Sequence, residues 1–202
     1  MPQNWREPSV LLLYWVNLIP VIGVLFFDWG LAIILALYWL ETVFIGVLNV
    51  PKILMCRGGV FEGGISLFGN LFNAAFFSIH FGGFSYGHLT ALNHMIGVKN
   101  IFAYFTENPL FWIAIGSLMI SHIFSFWHNF LRRKEYSRRS SSEQMFKPYG
   151  RVVVMHLIII FGGLLLMQTG SPDLLLIVLV AIKIVIDGWL HLRSHKPIII
   201  SP

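Results

Sequence analysis

The sequence predicts an all-α polytopic membrane protein, a bundle of six transmembrane helices. Three observations carry this. Of 202 residues, 56% are hydrophobic and 11% charged, with a mean hydropathy of +0.74, whereas soluble domains carry about 25% charged residues. Apolar runs recur at the length a bilayer demands, about 20 residues at 1.5 Å rise. The positive charge is confined to alternate connections. The 18 Phe and seven Trp suit lipid-facing and interfacial positions.

The first span covers residues 10–27. Trp5-Arg6-Glu7-Pro8 precedes it and further spans follow directly, so it reads as a span and not as a cleaved leader. Asp28-Trp29-Gly30 makes a turn, and residues 31–50 form the second span, ended by Pro51. A glycine-rich connector, Gly58-Gly59 and Gly63-Gly64, leads to a long third segment, 66–95. Its glycines Gly82, Gly83 and Gly87 leave open whether it is one helix or a broken one. Pro109 suits the start of the fourth span, 109–131. The basic stretch 132–151, with its Ser-rich piece 137–142, reads as a flexible cytoplasmic loop that sets topology or meets anionic lipid. The fifth span is 152–168, Gly170-Ser171-Pro172 the turn, and 174–191 the sixth. No internal repeat is visible, and the chain reads as one transmembrane domain, 1–202.

Charge orients the bundle. With the N-terminus in the cytoplasm, twelve Lys and Arg fall inside: Arg6, Lys52, Arg57, seven between Arg132 and Arg151, Arg193 and Lys196. Only Lys99 falls outside, and Lys183 lies within a span. The positive-inside rule then puts both termini in the cytoplasm.

Function is sought in the polar residues that should lie in lipid. A charge at the bilayer centre costs at least about 2.5–3.5 kcal/mol, so it persists where it pairs, holds an ion or lines a wet cavity. Glu41 and Lys183 each lie near the midplane, and His80 is at similar depth in the third segment. A Glu41–Lys183 pair joined by His80 is expected, either as a salt bridge between helices or with Glu41 as a metal ligand or proton carrier. A second layer lies toward the cytoplasm. Lys183, Asp187 and His191 share one face of the sixth span at i,i+4 spacing, and His122, His156 and Asn49 approach the same depth.

Glu41, His80, His122, His156, Asp187 and His191 are therefore the candidate metal ligands. Imidazole with carboxylate suits Zn, Fe, Mn or Cu, and open coordination positions would permit catalysis with Glu41 or Asp187 as general base. Haem is a lesser candidate. His80 and His94 are fourteen residues apart, about 21 Å along a helix, as in ferric-reductase-like domains, but no second helix repeats the spacing and no C-x-x-C-H occurs. His88 and His94 are expected near the outer surface. Asn70, Asn73, His80 and Gly87 recur near sevens, so they share a face turned to other helices.

Other chemistry is absent. The single Cys56 rules out an internal disulfide or a multi-Cys metal site. There is no P-loop, G-x-G-x-x-G or H-E-x-x-H, and no sizeable soluble domain to take nucleotide or nucleic acid. The leading expectation is a buried His/carboxylate site holding a transition metal. The alternatives are a proton- or ion-coupled small transporter or channel working through Glu41, His80 and Lys183, and an accessory subunit of a membrane complex. Partners are the lipid bilayer and either a second copy or another membrane subunit.

Trp39-x-Glu41 and Gly46-x-x-Asn49-x-x-Lys52, Tyr149-x-Arg151 with His156, and Lys183-x-x-x-Asp187-x-x-x-His191 carry a resemblance. Over most of its length the chain resembles a family of bacterial multi-pass membrane proteins known as a domain of unknown function. The resemblance implies an inner-membrane location and a polar set that acts as a unit. It brings no assigned activity.

Overall fold

The computed structural model describes residues 19–20, 22–58, 67–96, 109–169, 176–178 and 181. Every described element is helical. Helix α1 is Leu31–Met55, α2 is Leu67–Ile96 and α3 is Pro109–Ser125, continued by a π-helical stretch, Phe126–Arg132. A 3-10 turn, Glu135–Ser137, leads to the short α4, Ser141–Phe146, and then to α5, Tyr149–Thr169.

Three of the described helical stretches are long and apolar enough to cross a membrane: Leu31–Met55, Pro109–Arg132 and Ser141–Thr169. Six spans were expected; among the described residues three have this length and composition. The expected first and sixth spans fall mainly outside the described residues. The third segment is one unbroken helix of 30 residues, but Asn70, Asn73, Ser78, His80, Ser85 and His88 dilute its apolar character. Its glycines do not break it, because a glycine inside a helix keeps its backbone donor and acceptor in the ladder.

Pro51 does not end α1 either. It removes one backbone donor, yet the helix runs on to Met55, as a packed or membrane-embedded helix tolerates when neighbours satisfy the freed groups. The true end is at Cys56, which turns to extended geometry. There Asn70 Nδ2 donates to the carbonyls of Leu54 (3.2 Å) and Cys56 (2.9 Å) and closes the helix end. Cys56 is buried, and burial, opposed by Arg139, pushes its thiol up to about 11.

Paired contacts set the packing directions. Trp39 Nε1–H donates to Ser85 O (2.8 Å), Gly46 faces Phe81 and the end of α1 meets Asn70, so α1 and α2 are antiparallel. His80 meets Tyr149, His88 meets His156 and Met95 meets Gly163, so α2 and α5 run parallel. On α3, His122 reaches Glu41 while Phe126 and Phe130 lie under Lys52, so α1 and α3 are parallel too.

The core has two apolar parts. One gathers Leu35, Tyr38, Leu92, Phe111, Leu118, Met155 and Ile158 among others. The other gathers Ile53, Ala74, Phe77, Phe81, Met145 and Val152. Glu41 lies between them along α1. Outward faces carry exposed Phe68, Ile79, Ile113, Ile120, Phe161 and Met167.

The basic stretch is not the flexible loop expected. It folds back into the bundle. Arg57 N–H donates to Tyr136 O (2.8 Å) and Gly58 N–H to Arg139 O (2.9 Å). A Cβ at Gly58 would strike the Arg139 backbone, so glycine is needed for this close approach. Ser140 and Glu143 form a reciprocal capping box that starts α4. Gln144, 2% exposed, donates through Nε2 to Asn49 Oδ1 (2.7 Å) while Asn49 Nδ2 donates to Gln144 O (3.2 Å). Asn73 Nδ2 donates to Ser141 Oγ (2.8 Å).

Because Tyr149 is level with His80 and Gly46, α5 begins nine residues short of the end of α1, a recess of about 13 Å filled by α4. Asn49→Leu leaves the Gln144 amide buried without its partner and is expected to cost about 1–3 kcal/mol. Limited trypsin digestion checks it: cleavage at Arg138 or Arg139 should accelerate at least several-fold over the parent protein.

Candidate functional site

Glu41 is the centre of the described polar set. Its side chain is 1% exposed, held in the interior by the antiparallel α1–α2 contact on one side and by α3 on the other. His122 Nε2–H donates to Glu41 Oε1 at 3.1 Å. The guanidinium Nη1 of Arg151 lies 3.1 Å from the same oxygen. The His122 and Arg151 side chains are each 14% exposed. A buried ion costs several kcal/mol to desolvate, and the pair repays this only when charge and geometry match. Glu41 with Arg151 is neutral overall, and His122 Nε2–H adds a donor to the same oxygen. A cavity of about 10 Å³ beside the cluster, walled by Leu37, Phe44, Leu118 and Met119, is close to the space of a single water.

Arg151 sits in this cluster through the recess of α5. As the third residue of that helix it starts near the level of Gly46, in the interior of the bundle. The sequence places it at the edge of the basic stretch; the fold turns it inward. It stands where Lys183 is expected. Lys183, Asp187 and His191 lie outside the described residues, so their relation to Glu41 does too.

The remaining candidates are on another seam. His80 does not join Glu41. It is exposed, its Nδ1 lies 2.7 Å from Tyr149 Oη, and its ring stacks on Phe76 at 5.2 Å. His156 does not approach His122. Its Nδ1 is 2.8 Å from His88 Nε2 and 3.3 Å from Val152 O. His88, expected near the outer surface, is buried at 5% exposure in this pair. The fold thus splits the six ligand candidates: Glu41 with His122, His80 and His156 apart from them, Asp187 and His191 undescribed. No group of three or more His, Cys, Asp or Glu side chains suited to a metal ion occurs among the described residues.

The α2–α5 seam opens into a groove of about 610 Å³ lined by His80, Gly83, Phe84, His88 and His156 with aliphatic walls. One signal in this stretch was there to be read. Gly83-Phe84-Ser85-Tyr86-Gly87 spells G-x-S-x-G. A nucleophile elbow needs a strained strand-to-helix turn, and here the motif lies inside an unbroken helix with Ser85 buried. The capping box at Ser140 and Glu143 was equally legible and marks α4.

The chain belongs to a family of unknown function, DUF6498, whose model matches residues 1–198. No curated protein and no solved structure matches it.

Proposed function

We propose that this member of the family is a multi-pass membrane protein whose buried Glu41–His122–Arg151 cluster carries a proton, within a small proton-coupled carrier or channel. The observation that carries this is the Glu41 carboxylate, 1% exposed, with an imidazole and a guanidinium on one oxygen. Intramembrane ionisable groups of this kind mark proton and ion paths. The chemistry balances simply. A proton arrives on His122 Nδ1 as the Nε2 proton passes to Glu41 Oε1. His122 ends neutral in its other tautomer, and Glu41 ends as a neutral acid. Neutralising Glu41 removes the charge that faces Arg151 Nη1 at 3.1 Å, which weakens the tie between α1 and α5 and couples protonation to helix movement. Counted over six spans, the twelve-to-one distribution of Lys and Arg supports a cytoplasmic placement of both termini.

A transition metal shared by Glu41 and His122 is disfavoured by Arg151. Its positive charge lies 3.1 Å from the carboxylate oxygen the ion would need.

Proteoliposomes loaded with a pH-sensitive dye test the reading. Under an imposed potential the parent protein should pass protons well above empty vesicles. Glu41→Gln should lower the flux at least about tenfold, since each tenfold is about 1.4 kcal/mol of barrier, while Glu41→Asp retains part of it. Flux no higher than empty vesicles with a folded protein would leave the accessory-subunit reading. Stoichiometric metal lost in His122→Ala would replace the proton by an ion.

A further inference from the structure

At the basic end of the bundle a hollow combines an aliphatic wall with one fixed cation. Leu54, Met55 and Arg57 at the end of α1, Leu67 at the start of α2, Leu131 of the π-helical stretch and Tyr136 of the 3-10 turn enclose about 460 Å³. Leu54, Met55 and Leu67 are exposed, Leu67 by 62%, so the apolar wall stands open where the helices end. Arg57 is the one charged group among the described residues that line it.

The backbone holds Arg57 in place. Its N–H donates to Tyr136 O (2.8 Å), and the next residue is clamped by Gly58 N–H on Arg139 O (2.9 Å). The guanidinium lies over the Tyr136 ring, 5.5 Å from its centre. A cation fixed in this way gives up little freedom when it meets an anion. The two acids of this face are engaged elsewhere: Glu135 pairs with Arg139 at 3.4 Å, and Glu143 closes the capping box at Ser140. Between residues 132 and 147 six Lys and Arg stand against two Glu. The potential around the hollow therefore favours a net negative ligand.

Depth selects the kind of anion. Leu131 lines the hollow, and Arg132, next to it in the chain, lies over the Trp127 ring, 5.7 Å from its centre. Trp127 is half-exposed, and tryptophan with a basic residue at the end of an apolar helix marks the level of lipid headgroups. A soluble anion would use Arg57 and leave the leucine and methionine wall wet. A phospholipid uses both. A zwitterionic headgroup would bring its own ammonium into this basic field, so a net negative one fits better.

We propose that this hollow is a binding site for an anionic phospholipid, its phosphate held by Arg57 and its acyl chains on Leu54, Met55 and Leu67. The inference rests on the reading of the chain as a membrane protein and is independent of proton carriage.

The test is equilibrium binding of radiolabelled phosphatidylglycerol to the full chain in micelles of an uncharged detergent. One saturable site per chain is expected. Arg57→Gln, at an exposed side chain, should weaken it at least about tenfold, the weight of one charge-assisted hydrogen bond. Leu67→Gln, which wets the wall, should weaken it several-fold. Lys147→Gln removes an equal charge outside the hollow and should leave the affinity within about twofold. Circular dichroism and monodisperse elution confirm that each variant folds, and either pocket variant suffices. A large excess of phosphatidylcholine with the same chains, or of inorganic phosphate, should not displace the probe. Uptake that never saturates, affinity unchanged in the folded pocket variants, or an equal loss in Lys147→Gln would overturn the site. So would displacement by either competitor. Proton flux through Glu41 is measured separately, so either reading can fail without the other. A chain that stays dispersed without detergent would overturn both.

Discussion

Arg151→Met is expected to lower unfolding free energy by about 3–5 kcal/mol, the cost of breaking a buried pair by removing one partner. Glu41, 1% exposed, would lose the guanidinium that lies 3.1 Å from its carboxylate oxygen. Met preserves the length and apolar stem of the side chain, so the loss reports the charge. Replacing both partners removes both charges: Arg151→Met with Glu41→Gln should recover most of the stability. Unfolding in detergent followed by circular dichroism gives the four corners of this cycle, and the coupling should exceed about 2 kcal/mol, within the span seen for groups in one network. A single Arg151→Met cost below about 1 kcal/mol, the level of an exposed ion pair, would show that the guanidinium does not hold Glu41.

Gly46→Leu should be nearly as damaging, by a different cause. A Cβ at Gly46 falls within the Phe81 ring, so α1 and α2 must part. Overpacking of this kind costs about 1–3 kcal/mol. The upper end is expected here, because Phe81 stacks on Phe77 at 4.8 Å and meets the Tyr149 edge at 6.3 Å. Moving it disturbs the recess that seats α5 and hence Arg151. Gly46→Leu combined with Phe81→Ala should regain part of the loss in the same unfolding measurement. An unchanged midpoint for Gly46→Leu would mean that the helices do not approach this closely.

Local signals were the legible ones. Apolar runs at membrane length marked α1, α3 and α5, because helix length and composition are properties of a segment by itself. The cost of burying charge in an apolar run pointed to Glu41 and His122 one residue at a time. The capping box at Ser140 and Glu143, and the G-x-S-x-G spelling around Ser85, were also local, and each needed its helix context to acquire meaning. What escaped was partnership. Arg151 belongs by composition to a basic stretch, and nothing in its neighbours along the chain says that α5 begins about 13 Å inside the bundle. His88 looked superficial because depth was counted from segment ends, yet the α2–α5 seam buries it against His156.

By itself the sequence determined that the chain is helical, that several of its helices are apolar enough for a membrane, and that a few ionisable groups lie within them. These follow from periodicity, length and transfer cost, which need no knowledge of neighbours. The tertiary structure decided which group meets which. Glu41 has Arg151 and His122 on one oxygen, His156 has His88, and His80 has Tyr149. Pairing depends on where the axes cross and how far each helix is shifted along its neighbour. Those shifts are set by single contacts, Gly46 on Phe81, Gly58 on the Arg139 backbone and Asn49 on Gln144. Each joins residues 35 to 95 positions apart, a distance over which the linear chain carries no geometric information.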